Sequence, residues 1–237
     1  MTSPDIPGEA AIPGEGRLRL RGFLYGLIPL PITGVILFIA SGTLAWPAAW
    51  FILGMLFVST AVVSATCHTD LVMERTREQP GAKEYDKKLV LVLHLTGLLS
   101  LFVAGLDFRF GWTGPIAFPV QAAAFIACIA GYCLFSWAMI SNRFFSTIAR
   151  IQEERGHYPV ITGPYRFVRH PGYLGIFING LAQPLVLGSL WAVIPALITA
   201  GLIIWRTALE DRTLREELTG YREYAGQVRY RLVPGIW

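Results

Sequence analysis

Charge is scarce in this chain: Asp, Glu, Lys and Arg make up 15% of its 237 residues, against 54% hydrophobic residues. A water-soluble domain carries about 25% charged residues, so the deficit excludes an ordinary soluble fold and indicates an integral membrane protein. The mean hydropathy of +0.50 agrees. Cysteine is also sparse. Cys67, Cys128 and Cys133 lack metal-ligand spacing, and the last two do not share a helix face, so they read as small apolar packing residues and no metal site is expected. The glycine-rich strand-turn-helix signature of soluble nucleotide-binding folds is missing. Residues 1–22 lack the early apolar core of a cleavable signal peptide, so the first apolar run should stay as a span. No basic run suggests nucleic acid as a partner.

What the chain does have is long apolar runs, at 23–42, 46–66, 89–106 and 118–140. Each is long enough to cross a hydrocarbon core of roughly 30 Å at 1.5 Å per residue. The run from 173 to 205 would reach roughly 50 Å as one helix, too long for a single crossing. Pro184, Gly188 and Ser189 should break it into a hairpin of 174–187 and 190–205. The expected fold is therefore an all-α polytopic membrane protein of about six membrane helices. Residues 1–22 read as a flexible N-terminus, with Ile-Pro-Gly-Glu at 6–9 and again at 12–15. Residues 23–140 read as a four-helix membrane region and 141–237 as a functional core.

Loop charge supplies an orientation. Of the twenty Lys and Arg, nineteen fall in segments that this count of spans puts on one side, and only Arg109 falls on the other. Basic residues collect on the cytoplasmic side, so both termini are expected there, in the inner membrane if the cell is bacterial. The net charge of +4 is mostly this signal, with some attraction to anionic membrane lipid. The loop 141–172 and the tail 206–237 then emerge on the same face and can build one site.

Both segments are rich in polar groups. The loop holds Arg150, Arg155, His157, Tyr165, Arg166, Arg169, His170 and Tyr173, punctuated by Gly156, Pro159, Gly163, Pro164, Pro171 and Gly172. Arginines and tyrosines commonly anchor span ends, but anchoring does not explain two histidines in a chain that turns so often. Such turns expose backbone donors and acceptors to a polar ligand. Downstream, Arg206 follows Ile203-Ile204-Trp205 at the membrane boundary, four residues before Glu210 on the same helix face. The plain reading is a surface ion pair worth a few tenths of a kcal/mol. Asp211, Arg212, Arg215, Glu216 and Glu217 read as a solvated helix face, and His94, inside the third span, as a packed helix residue. The segment 74–88, with Pro80-Gly81, reads as a polar loop between spans that could cover the site.

The spaced motifs His157-Tyr158-Pro159-Val160, Gly163-Pro164-Tyr165, Arg169-His170-Pro171-Gly172-Tyr173 and Gly175 precede an apolar hairpin. Arg206-x-x-x-Glu210-Asp211-x-x-Leu214 and Gly220-Tyr221-x-x-Tyr224 follow it. Together they resemble the isoprenylcysteine carboxyl methyltransferase family and its wider phospholipid methyltransferase relatives. The resemblance covers 141–237 well and the first 140 residues only through a similar arrangement of spans. It implies a membrane enzyme that uses S-adenosyl-L-methionine, with the cofactor held by loop and tail. By matching position, His157, Val160, Tyr165, His170, Pro171 and Tyr173 would line the cofactor pocket with Glu210, and Tyr158, Pro159 and Gly172 would contribute backbone. Arg206 matches the family's substrate-facing arginine. The acceptor implied is an isoprenylcysteine-like or other lipophilic carboxylate. In two places the chain departs from the eukaryotic pattern: Arg150 stands where a cofactor-contacting glutamine is expected, with Gln152 available instead, and Asp211 replaces the second glutamate of an acidic pair.

Three other readings fit parts of the chain. A phospholipid N-methyltransferase would need a base such as His157, His170 or Glu210 near the amine. A membrane sterol reductase with a nicotinamide cofactor resembles the same C-terminal region. The non-enzymatic reading is a membrane scaffold or transporter, and a transporter would carry more charge inside its spans. The charge count makes the first test one of topology: in a cysteine-free background, single cysteines at positions 109 and 232 should label from opposite sides of the membrane. Labelling of position 232 from outside intact cells contradicts the orientation.

Overall fold

The computed structural model describes residues 15–68, 71, 74, 81 and 83–237, so the repeated Ile-Pro-Gly-Glu at 6–9 and nearly all of that at 12–15 lie outside the described residues. The described chain is all helical, with no strand. Its helices are α1 (Glu15–Gly26), α2 (Pro29–Ser41), α3 (Pro47–Thr66), α4 (Glu84–Phe110), α5 (Phe118–Ser141), α6 (Pro171–Val186), α7 (Val193–Glu217) and α8 (Tyr221–Gln227). Proline lies in the first turn of α2, α3, α5 and α6. There its missing N–H costs nothing, because the first-turn donors of a helix have no internal partner.

Five helical stretches are long and apolar enough to cross a membrane: Gly16–Ser41, which joins α1 to α2, Pro47–Thr66, Glu84–Phe110, Phe118–Ser141 and Val193–Glu217. The sixth expected segment is α6, whose 16 residues reach only about 24 Å. It pairs with α7 as the short arm of the hairpin. Pro184 does not make the break expected of it: it lies inside α6. The helix continues past it to Val186. The chain turns at Gly188, where φ is +81°. Ser189 closes the turn through its backbone N–H to the Pro184 carbonyl at 2.8 Å and its hydroxyl to the buried Asp107. Asp107 also accepts from the backbone N–H of Thr113 at 2.7 Å, which ties the hairpin tip to the end of α4.

The helices alternate in direction. At one end lie the C-termini of α3, α5 and α7 and the N-termini of α4 and α6, joined by contacts such as Lys83 N–H to the Ala149 carbonyl at 3.2 Å. The other end holds the 42–46, 111–117 and 187–192 connections, and there the Arg109 guanidinium packs against Gly42. Among the described residues, every Lys and Arg except Arg109 belongs to the first end. This arrangement agrees with the loop-charge count.

The α5–α6 contact sets the geometry of the site, because it aligns the start of α6 with the loop that follows α5. The two helices cross at Gly131 and Gly175. A Cβ on Gly175 would lie 2.8 Å from the Gly131 carbonyl oxygen, and one on Gly131 would lie 2.9 Å from that of Gly175. Without side chains the backbones pack directly, as small residues allow between membrane helices. Gly175→Val should therefore lower stability in detergent by about 1–3 kcal/mol, read as a lower thermal midpoint, while Gly180→Ala stays within about 0.5 kcal/mol of wild type.

Candidate active site

The 142–170 loop folds over the helix ends and is tied down by its own polar groups. The fully buried Gln152 donates from its amide to the Phe144 carbonyl at 2.8 Å and accepts from Arg155. Asn142 donates to the Tyr165 hydroxyl at 3.1 Å, and the Tyr224 hydroxyl of α8 donates to the Tyr165 carbonyl at 2.8 Å. Gly163 lies at φ +56°, with the Ser141 hydroxyl 2.4 Å from where a Cβ would sit, so only glycine fits this bend. Two backbone bonds, Arg169 N–H to the Tyr230 carbonyl and His170 N–H to the Arg231 carbonyl, both 2.9 Å, join the loop to the C-terminal tail.

The knot of this arrangement is Asp211, which is fully buried. Its carboxylate accepts from Arg169 at 2.7 and 3.2 Å, from Arg215 and Arg231 at 3.0 Å each, and from the Tyr221 hydroxyl at 3.0 Å. The His170 Nε2 lies 3.4 Å from the same carboxylate. Asp211 is thus not part of a solvated helix face. It gathers loop, helix and tail, whereas Arg212 and Glu216 are exposed as expected of that face and form a 2.8 Å pair.

Above this knot lies a cavity between the loop and the end of α7. Of the residues expected to line a cofactor pocket, His157, Tyr158, Pro159, Val160 and Tyr165 face it from the loop, with His170, Gly172, Tyr173 and Glu210 from the helix ends. Pro171 does not: it is buried in the first turn of α6. Gln152 is also not among the lining residues, because its amide is engaged within the loop. Arg150 does line the cavity, but its guanidinium is held by Glu74 at 2.9 and 2.8 Å and by Glu154 at 2.6 Å. Through Glu74, the connection between α3 and α4 reaches the site; residues 75–80 of that connection lie outside the described residues.

The ionic state of the lining is distinctive. Its two arginines, Arg150 and Arg169, are neutralised by carboxylates, which leaves Glu210 as the carboxylate facing the cavity among the described residues. Glu210 accepts from the Tyr173 hydroxyl, and the His170 Nδ1 lies 4.0 Å from its other oxygen. His157 packs against Phe144 with ring centroids 4.6 Å apart. Burial, and then the positive charges of Arg155 and Arg150, lower its pKa from 6.5 to about 4.

Arg206 has a different partner from the one its spacing suggested. It makes no ion pair with Glu210. Its Nε and Nη2 instead form a two-pronged bridge to Asp86 of α4, at 2.7 Å each, and Nη2 also donates to the Thr147 carbonyl at 2.8 Å. Asp86 is fully buried and accepts in addition from the backbone N–H of Ala149 at 2.6 Å. Three of the five guanidinium hydrogens are thereby used, and Nη1 makes no hydrogen bond among the described residues. The Arg206 guanidinium stands 5.0 Å over the Tyr173 ring. Both residues line a second, largely apolar groove of about 310 Å³ between α4, α6 and α7. Tyr173 therefore forms the wall between cavity and groove, while Glu210 faces only the first and Arg206 only the second. His94 is not a packed residue. It is exposed and lines this groove.

Residues 123–216 match the sequence profile of the isoprenylcysteine carboxyl methyltransferase (ICMT) family. The resemblance to that family is borne out. The matched segment runs from α5 to the end of α7 and contains the loop, the hairpin, Arg206, Glu210 and Asp211. Over 111 residues the chain is 28% identical to a protein-S-isoprenylcysteine O-methyltransferase of Schizosaccharomyces pombe, covering 46% of this chain and 45% of that protein. Over 135 residues it is 26% identical to a Delta(14)-sterol reductase of Mus musculus, covering 52% of this chain and 32% of that one. The chain thus spans less than half the length of these relatives.

In sequence Asp86 sits in Glu84-Tyr85-Asp86-Lys87-Lys88, which reads as a hydrated segment and hides its role. The available signal was the α4 stripe of Asp86, Leu89, Ser100, Ala104 and Asp107, all buried at helical spacing. Asp211 carried the same signal, four residues after the buried Thr207 and eight after Ile203.

The lowered pKa of His157 makes stability depend on pH. Between about 6.5 and about 4 the unfolded chain takes up a proton that the folded one refuses. The stability present above that window is therefore lost as the pH falls through it, by at most about 3 kcal/mol. Thermal midpoints measured across the window should fall less steeply for His157→Gln than for wild type; parallel curves refute the assignment.

Proposed function

We propose that the protein is an integral membrane methyltransferase that uses S-adenosyl-L-methionine to methylate the carboxylate of a lipophilic acceptor. The observation that carries this reading is the two-sided arrangement at Tyr173, with Glu210 in a polar cavity on one side and Arg206 in an apolar groove on the other. The cavity suits a cofactor with cationic groups. Its arginines are already neutralised, a carboxylate faces it, and the rings of Tyr165, Tyr173 and Tyr224 line it for cation–π contact. When bound, the cofactor supplies a methyl group on a sulfonium.

The rest of the task falls to the protein's own residues. Glu210 accepts hydrogen bonds from the cofactor's ammonium or hydroxyl groups, and Tyr173 holds Glu210 in place. A carboxylate acceptor is ionised at neutral pH, so orientation is needed and no general base is required. Arg206 does not grip that carboxylate with its Nε–Nη2 fork, which Asp86 occupies. It offers the two Nη1 hydrogens, while Asp86 and the Thr147 carbonyl fix the guanidinium and so aim them. The groove takes the apolar body of the acceptor from the bilayer.

The relative named as a sterol reductase motivates a second reading, with a nicotinamide cofactor. A phosphorylated dinucleotide would want unneutralised basic groups, and Arg150 and Arg169 are both engaged by carboxylates. This favours the methyltransferase reading.

Variants separate the two halves of the site. Arg206→Lys keeps the charge beside Asp86 but loses the planar guanidinium. Methyl transfer from labelled cofactor to a farnesylcysteine acceptor should fall roughly 10- to 1000-fold, with cofactor affinity within about twofold of wild type. Glu210→Gln should weaken cofactor binding while the thermal midpoint holds. Near-normal transfer and cofactor binding in both variants rejects the assignment.

A further inference from the structure

The groove contains a polar group that methyl transfer at Arg206 leaves unused. His94 lies eight residues beyond Asp86 on α4, about 12 Å farther along the helix axis and away from the site end. The surroundings are apolar: Val90, Leu93 and Leu98 of α4, Ile176 of α6 and Ile203 of α7 line the groove with it, and α4 and α7 are long and apolar enough to cross a membrane. On such a face there is no water to satisfy an imidazole. The His94 Nδ1 is 2.7 Å from the Val90 carbonyl oxygen. A carbonyl only accepts, so Nδ1 carries the proton, and in the neutral ring Nε2 is left as an acceptor. Nε2 has no hydrogen-bond partner among the described residues.

The other polar side chains of the wall each make at least one hydrogen bond. The Thr199 hydroxyl lies 2.8 Å from the Thr96 hydroxyl and 3.0 Å from the Pro195 carbonyl oxygen. Gln183 reaches the Tyr132 hydroxyl at 3.4 Å, and Asn179 bonds the backbone of Cys128 and Tyr132 at 3.0 Å each. His94 Nε2 is thus an acceptor without a partner among the described residues, in the same apolar groove as Arg206. Intramembrane polar groups of this kind are costly unless a ligand or partner satisfies them.

We propose that the groove takes a lipophilic carboxylate bearing a second polar group, a hydroxyl or amide N–H set back along its apolar body, and that His94 Nε2 accepts a hydrogen bond from it. An all-hydrocarbon chain would leave Nε2 unsatisfied, so His94 discriminates against it. The inference rests on the groove being the acceptor site.

The test is a binding titration without cofactor, on the purified full chain in lipid nanodiscs, read by tryptophan fluorescence. The probes are a fatty acid with a hydroxyl roughly 12 Å along its chain from the carboxylate and the unsubstituted acid of the same length. Wild type should bind the hydroxy acid roughly 3- to 10-fold more tightly, the size of one net hydrogen bond. His94→Leu should abolish that preference, and His94→Gln, which keeps an acceptor, should retain it. Equal affinities in wild type, or a preference unchanged in His94→Leu, overturn the role of His94 while the acceptor groove stands. Failure of both acids to bind overturns the groove and the inference together.

Discussion

A carboxylate removed from water must be paired, and the site end of this protein is organised by that constraint at Asp211. The residue is fully buried, and ionised buried groups are tolerated only when hydrogen bonds replace the lost hydration. Three arginines, a tyrosine and a histidine supply the replacement from the loop before α6, from α7, from α8 and from the tail. Removing one partner of such a pair typically costs about 3–5 kcal/mol. The loop cannot leave the tail without that cost, and the cavity exists only while the two stay together.

Asp86 applies the same constraint on the membrane side. It draws the N-terminus of α4 onto α7 and fixes Arg206 against the Thr147 carbonyl. The two buried carboxylates thus hold the two faces of one wall. Asp211 secures His170, which stacks near Tyr173 with ring centroids 5.8 Å apart, and Asp86 secures the guanidinium above the same tyrosine. The close crossing of α5 and α6 at Gly131 and Gly175 brings Tyr173 to the place where both can reach it. Rigidity of this kind suits a reaction that needs alignment and no proton transfer from the acceptor.

The parts of the protein written in local pattern were legible from sequence. Apolar runs located the membrane helices, loop charge ordered their ends, and spaced motifs picked out His157, Tyr165, His170, Tyr173 and Glu210, which line one cavity. What depends on long-range pairing was not legible. Arg206 and Glu210 are four residues apart and suggest each other, yet their partners are Asp86, 120 residues away, and Tyr173, 37 residues away. Pro184 looked like the hairpin break because helix propensity disfavours it, but α6 runs past it to Val186 and Gly188 takes the turn. His94 looked like packing because a histidine in a span is usually covered. Only the arrangement of α4, α6 and α7 reveals that it faces a groove.

The central claim is that the cavity beside Glu210 holds a cationic methyl donor. Calorimetric titration of the purified protein in detergent tests this most directly, with S-adenosyl-L-methionine and NADPH as alternative ligands. The account predicts saturable one-site binding of S-adenosyl-L-methionine, weakened in Glu210→Gln, and no heat from NADPH. Saturable binding of NADPH with no response to S-adenosyl-L-methionine would contradict it.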